Sequence, residues 1–183
     1  MDEIQSWAAT NHFHLHPTQP KELRDNFRKQ KDVQALVQVN GKAVENVDKV
    51  KLLGVIFRSD LKWNDHIAHD ISKASKRMYF LIQLKRAKVN ERELASFYTT
   101  CIRSVIEYAC EVYHFSLPEY LCNQLERLQK RALRIIYSNV SYDEALALAK
   151  LSTLKCRCLS IVRNDSMKFQ LTGHISSIIY SHL

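Results

Sequence analysis

The apolar positions change period part-way along the chain. From Leu61 to about residue 150 they recur every 3.6 residues, as in amphipathic helices, whereas the shorter apolar runs before residue 58 read as strands. Ile67, Ile71, Ala74, Met78 and Leu81 step by three and four along one face and predict a first long helix. A second is expected from Asn90, with Glu93 as its capping partner and a stripe of Leu94, Phe97, Cys101, Val105, Tyr108 and Val112. A third is expected from Ser116, with Pro118 in its first turn, Glu119 completing S-x-x-E, and Leu121, Leu125, Leu128, Ala132 and Ile136 as its seam. A fourth is expected from Ser141, again S-x-x-E through Glu144, running through Ala145, Leu146 and Ala149. After residue 155 the pattern decays.

Ahead of these, residues 1–10 read as the end of a helix with Ile4 and Trp7 on its apolar face, stopped by the two prolines of NHFHLHPTQPKE. Glu22 to Phe27 alternates weakly and Ala35 to Val39 better. Asn40-Gly41 signals a tight hairpin turn, with Lys42 to Val47 as the return strand. Val50 to Phe57 is almost wholly apolar and reads as one buried strand. Gly54 inside it marks either a close backbone approach or a bulge.

Around the first helix, Lys73, Lys76, Arg77 and Phe80 fall opposite the apolar stripe, as do Arg127, Lys130, Arg131 and Arg134 around the third. Lys85, Arg86, Lys88 and Arg92 add charge where the first helix meets the second. Neither Lys73–Lys88 nor Arg127–Arg134 contains an acid, whereas a solvated face ordinarily mixes signs. Two readings follow: contact with the phosphates of a nucleic-acid duplex, or a cationic solvated surface.

Composition sharpens this picture. The 183 residues carry a formal charge of +8, unevenly placed. Residues 1–60 hold nine Lys/Arg against eight Asp/Glu, and residues 61–183 eighteen against eleven. Three glycines and three prolines are too few turns for a large all-β fold. Five cysteines without a C-x-x-C pair fit reduced thiols in a cytoplasmic or nuclear setting. No apolar run reaches the length of a membrane span, and no membrane or small-molecule partner is expected.

The order K-x-L-G-V (Lys51 to Val55), D-L-x-W-x-x-H (Asp60, Trp63, His66) and K-A-x-x-R (Lys73 to Arg77) resembles the region just after the catalytic palm of reverse transcriptases from LINE-type retrotransposons. The resemblance continues through R-S-V-I-E-Y-A (Arg103 to Ala109), L-E-R-L-Q-K-R-A-L-R-I-I (Leu125 to Ile136) and Y-D-E-A-L (Tyr142 to Leu146). It implies that Lys51 and Gly54 belong to a primer-grip strand pair. It also implies that the helices from Trp63 form a thumb, with Asp60, Trp63 and His66 as structural parts of the turn. In that turn Trp63 would be a packing anchor, and Asp60 or Asn64 the helix cap.

The chain departs from that family where the chemistry lies. Polymerases need palm carboxylates to hold Mg²⁺, and no Asp-Asp pair occurs here. Where the family reads L-N-x-x-K-T, this chain has His16 and Gln19 in place of the asparagine and the lysine. The expectation is a fragment without catalytic activity, from a decayed or truncated element beginning at an internal methionine, or a domesticated remnant of one; the alternative is an inert relic whose fold has no selected role.

About residues 45–85 also resemble the N-terminal module named after the eighth AlkB homologue. No His-x-Asp/Glu pair exists to begin an iron-binding facial triad, and no Gly-rich turn exists for a methyltransferase, so only a docking module would follow. His12, His14 and His16 alternate, Cys110 and His114 sit four apart, and Cys156 and Cys158 are close. None completes a metal-ligand spacing, and no metal or cofactor is expected.

The expected architecture is α+β and mainly α. Residues 1–58 form a small β portion, 59–155 a bundle of four or five helices, and 156–183 an undefined tail. The expected partner is RNA or an RNA–DNA duplex.

Overall fold

The computed structural model describes residues 6–7, 10–12, 21–24, 38–39 and 42–164. The chain divides into two compact units, Met1–Asp65 and His66–Leu183. Small strand pairs occupy the first and helices the second, so the protein is mainly helical with a minor N-terminal β part.

In the first unit, β1 (Lys21–Glu22) pairs in parallel with β4 (Glu45–Asn46). Strands β2 (Gln38–Val39) and β3 (Lys42–Ala43) are antiparallel, with Val39 opposite Lys42, the two-residue spacing expected around Asn40-Gly41. The expected return strand from Lys42 to Val47 is divided between β3 and β4, which pair with different strands. Ile4, His14, His16, residues 25–27 and residues 35–37 lie outside the described residues.

The expected single strand from Val50 to Phe57 is instead a hairpin. Strand β5 (Lys49–Leu52) pairs antiparallel with β6 (Val55–Arg58), Leu52 opposite Val55. Leu53 (φ 47°) and Gly54 (φ 88°) make the turn. Positive φ at both central residues is the requirement of a type I′ turn, whose twist matches that of the flanking strands. Gly54 therefore serves a reversal of the chain, not a close approach inside a strand. The sequence conceals this because leucine stands where Asn or Asp is usual. Strong apolar exposure here is confined to the tip: Leu52 is 58% and Leu53 84% exposed, while Val55 is buried. Phe57 meets Trp63 edge to face, with ring centroids 5.7 Å apart, and Trp63 is buried.

The second unit is built on α1 (Asn64–Arg86), whose Ile67, Ala74, Met78 and Leu81 are buried as the periodicity predicts. Asn64 is the first helical residue. Asp60 accepts from the Lys62 amide (3.1 Å) and pairs with Arg58. The helix ends in a Schellman-type closure: the Lys88 amide donates to Lys85 O, the Val89 amide to Leu84 O, and Lys88 adopts φ 59°.

Helix α2 (Glu91–Phe97) is capped by Asn90, whose Oδ1 accepts from the Glu93 amide at 2.9 Å. It runs through a π-helical turn, Tyr98–Arg103, into α3 (Ser104–Glu107). The residue inserted by the π turn shifts the buried face. Leu94, Tyr98, Ile102, Val105 and Ile106 are inside, whereas Tyr108 and Val112 of the expected stripe are exposed. Ala109 (φ 53°) then turns the chain into α4 (Cys110–Tyr113).

Ser116 does not cap the next helix, because it lies in a 3₁₀ turn and its hydroxyl donates to Tyr113 O. Helix α5 (Glu119–Ile136) begins after Pro118 and buries every residue of its expected seam, together with Gln129 and Leu133. Helix α6 (Tyr142–Ala149) has the expected reciprocal capping box of Ser141 and Glu144. A last helical segment, α7, occupies 154–164.

Candidate interaction surface

Helix α5 separates its two faces sharply. The seam from Leu121 to Ile136 is buried, and Arg127, Lys130, Arg131 and Arg134 all project into solvent. Lys130 lies over the Tyr142 ring, 5.0 Å from its centroid, which orders the side chain while leaving its charge accessible. On α1, Lys73 and Lys76 are exposed, and Phe80 is exposed beside them. Arg86 and Lys88 are exposed at the end of that helix, and Lys51 is exposed on β5.

Two of the expected surface cations have intramolecular work. Arg77 is half-buried and donates to the Cys101 carbonyl, which the π-helical turn carries. Lys85 donates to Ile136 O at 2.7 Å and lies 3.6 Å from Glu91. Ile136 ends α5, so the ammonium satisfies an open carbonyl at the negative end of that helix. These two residues tie helices together and present less charge than periodicity alone indicates.

Beneath the surface lies a buried polar network that periodicity did not reveal. Tyr98 donates to Gln129 Oε1 (2.9 Å), and Gln129 Nε2 donates to the Tyr142 hydroxyl (2.9 Å) and to Ser152 O (3.1 Å). Tyr142 donates to Glu126 Oε1, and Glu126 Oε2 accepts from the Leu154 amide (3.0 Å) at the start of α7, where a carboxylate opposes the helix dipole. Arg103 donates to Ser152 O (3.2 Å). Its Nε lies 2.7 Å from Glu107 Oε1, a Coulombic pair whose angle falls short of a hydrogen bond. Burial pushes the Tyr98 and Tyr142 hydroxyls well above the ordinary phenol range, so both remain protonated donors.

His66 is also structural. It is fully buried, packs edge-on against Tyr113 at 5.0 Å, and stands 3.5 Å from Asp70. Cys110 and Cys158 are buried free thiols that hydrogen-bond to each other, which favours the proton on Cys110 and raises its pKa. Among the described residues no three His, Cys, Asp or Glu side chains gather as a metal-ligand set. No described helix is long and apolar enough to cross a membrane.

Comparison with known proteins finds one family. The model described as "Alkylated DNA repair protein alkB homolog 8, N-terminal" matches residues 63–104, which comprise Trp63, α1, α2 and the π-helical turn. No curated protein and no solved structure matches the chain. The resemblance to that N-terminal module therefore has independent support, over a stretch lying further along the chain than the motif reading placed it. The reverse-transcriptase resemblance has no counterpart among these matches.

Proposed function

We propose that the helical unit is a non-catalytic interaction module which holds the phosphate backbone of RNA or an RNA–DNA duplex on the exposed cations of α1 and α5. The observation that carries this reading is the division of α5. Four exposed cations without an intervening acid stand on a helix whose other face is locked into the core. A rigid cationic ridge neutralises phosphates by releasing counterions and reads no base sequence. Lys73 and Lys76 supply a second such face. Arg77 and Lys85 act mainly by holding the helices in place.

The match over residues 63–104 supports a docking role for that stretch. Dioxygenase chemistry is not carried over with it, because the chain contains no His-x-Asp/Glu pair. A finer reading rests on the ordered motifs: the chain descends from the primer-grip and thumb part of a LINE-type reverse transcriptase and lacks its palm carboxylates. In that reading Lys51 and the Leu53-Gly54 turn are what remains of the primer grip.

Fluorescence anisotropy of the purified chain with an RNA duplex, an RNA–DNA hybrid and one tRNA at low salt tests the proposal. Similar affinity for unrelated duplex sequences supports backbone holding. Tight binding to the tRNA alone replaces it with a specific docking role, and absence of binding to all three refutes it.

A further inference from the structure

Helix α1 carries a second stripe besides its buried one. At about 100° per residue, Lys73, Lys76, Arg77, Phe80, Leu84 and Ala87 fall together, on the side away from Ile67, Ala74, Met78 and Leu81. The C-terminal half of this stripe forms one wall of an open groove of about 650 Å³, and Phe97, Thr100 and Cys101 form the other. The volume lies within the range of ligand sites. Phe80 is 58% exposed on its wall. The hydrogen bond from Arg77 to the Cys101 carbonyl joins the two walls and fixes their separation. Every lining residue lies within the stretch matched by the family model.

We infer that this groove docks an amphipathic helix from another protein, apolar on the side that enters and acidic on its flank. Both walls are helices, so an apolar ridge at i, i+3, i+4 and i+7 interdigitates with them. From Arg77 to Ala87 the wall advances about 15 Å, the length of two to three helical turns. Charge selects the flank. The same stripe continues towards the N-terminus as exposed Lys73 and Lys76, and no acid occurs between Lys73 and Lys88. The acids of α2, Glu91 and Glu93, lie in its first turn, beyond the corner that follows Arg86 and at the far end from Lys73. Single-stranded bases would favour an open aromatic platform over a groove lined also by Leu84, Ala87 and Cys101. Duplex binding draws on Lys73 and Lys76 together with the cations of α5, whereas this inference rests on the apolar groove beyond them, which Phe80→Gln and Gln83→Glu probe separately.

The test uses the full chain and three fluorescein-labelled probes. The first is a synthetic helical peptide of about 15 residues with leucines at i, i+3, i+4 and i+7 and flanking glutamates. The others are its lysine-flanked counterpart and a short oligouridylate. The glutamate peptide is expected to bind saturably and to lose about ten-fold or more in affinity with Phe80→Gln and several-fold with Lys73→Gln/Lys76→Gln. The lysine peptide is expected to bind at least about ten-fold more weakly. Gln83→Glu, which puts an acid in the groove, is a second variant expected to weaken the glutamate peptide even if Phe80→Gln perturbs folding. No saturable binding of the glutamate peptide up to about 1 mM, or equal affinity in all variants, overturns the inference. So does an oligouridylate that loses affinity with Phe80→Gln while the peptide does not.

Discussion

The Tyr98 hydroxyl donates across 2.9 Å to Gln129 Oε1, joining the π-helical turn to α5 through two fully buried side chains. Gln129 satisfies Tyr98, Tyr142 and Ser152 at once. Replacing it by leucine leaves the Tyr98 hydroxyl without an acceptor in a buried site and takes one of two partners from Tyr142 and from Ser152 O, at a cost of about 3 kcal/mol. Urea unfolding of Gln129→Leu checks this. A Tyr98→Phe/Gln129→Leu double variant is expected to lose less than the sum of the singles, because the hydroxyl orphaned by the first change is removed by the second.

Lys85 and Lys73 separate structure from binding, although both are lysines on α1. Lys85→Met removes the cation from the Ile136 carbonyl and is expected to lower stability by about 1 kcal/mol, with little change in the salt dependence of duplex binding. Lys73→Gln is expected to do the reverse. Paired melting and binding curves measure both, and equal effects from the two variants would contradict the assignment.

Lys88 holds the left-handed closure of α1 at φ 59°, a conformation glycine adopts without Cβ strain. Lys88→Gly is expected to stabilise the helical unit by up to about 1 kcal/mol. If Lys88 also meets a phosphate, the same change lowers the salt slope of binding. A variant more stable yet weaker in binding is the expected result, checked by differential scanning calorimetry and anisotropy.

Alkaline pH probes the buried tyrosines. Burial raises Tyr98 and Tyr113 far above the ordinary phenol value of 10.0, so the unfolded chain loses these protons first. A raised native pKa means the stabilisation is intact below the unfolded value and declines as pH rises past it. Stability is therefore expected to fall above about pH 10, by up to about 1.4 kcal/mol per pH unit for each such tyrosine. Tyr113→Phe is expected to shallow that fall in a pH series of urea midpoints.

Much of the helical unit was legible in the sequence. The α1 and α5 seams, the Asn90 cap and the Ser141–Glu144 capping box follow from spacing and side-chain chemistry alone. What escaped lies where the backbone leaves its regular period. The π turn at Tyr98–Arg103 moved the buried face of the second helix. Leu53 in a left-handed turn concealed a hairpin inside an apolar run. The buried network left one readable trace, Gln129 standing among the apolar positions of α5. Arg103 with Glu107, Glu126 with Gln129, and Tyr142 come from the three downstream motifs that carried the polymerase resemblance, and they meet in this network. Those motifs therefore report how the helices are held together and leave the ligand unspecified. Arg77 and Lys85 make the same point from the surface: helical angle places a cation, but only tertiary structure shows that a carbonyl already holds it.

Holding of duplex phosphates by the exposed cations of α1 and α5 is checked by a salt series. The affinity of the chain for an RNA–DNA hybrid is measured by anisotropy across potassium chloride concentrations, beside a variant with Lys73, Lys76, Arg127 and Arg131 changed to glutamine. The expected result is a steep linear dependence of log affinity on log salt, reduced in the variant by roughly 0.9 for each phosphate contact removed, with unchanged helical circular dichroism. Identical slopes for the two proteins, or no binding by either at low salt, would contradict it.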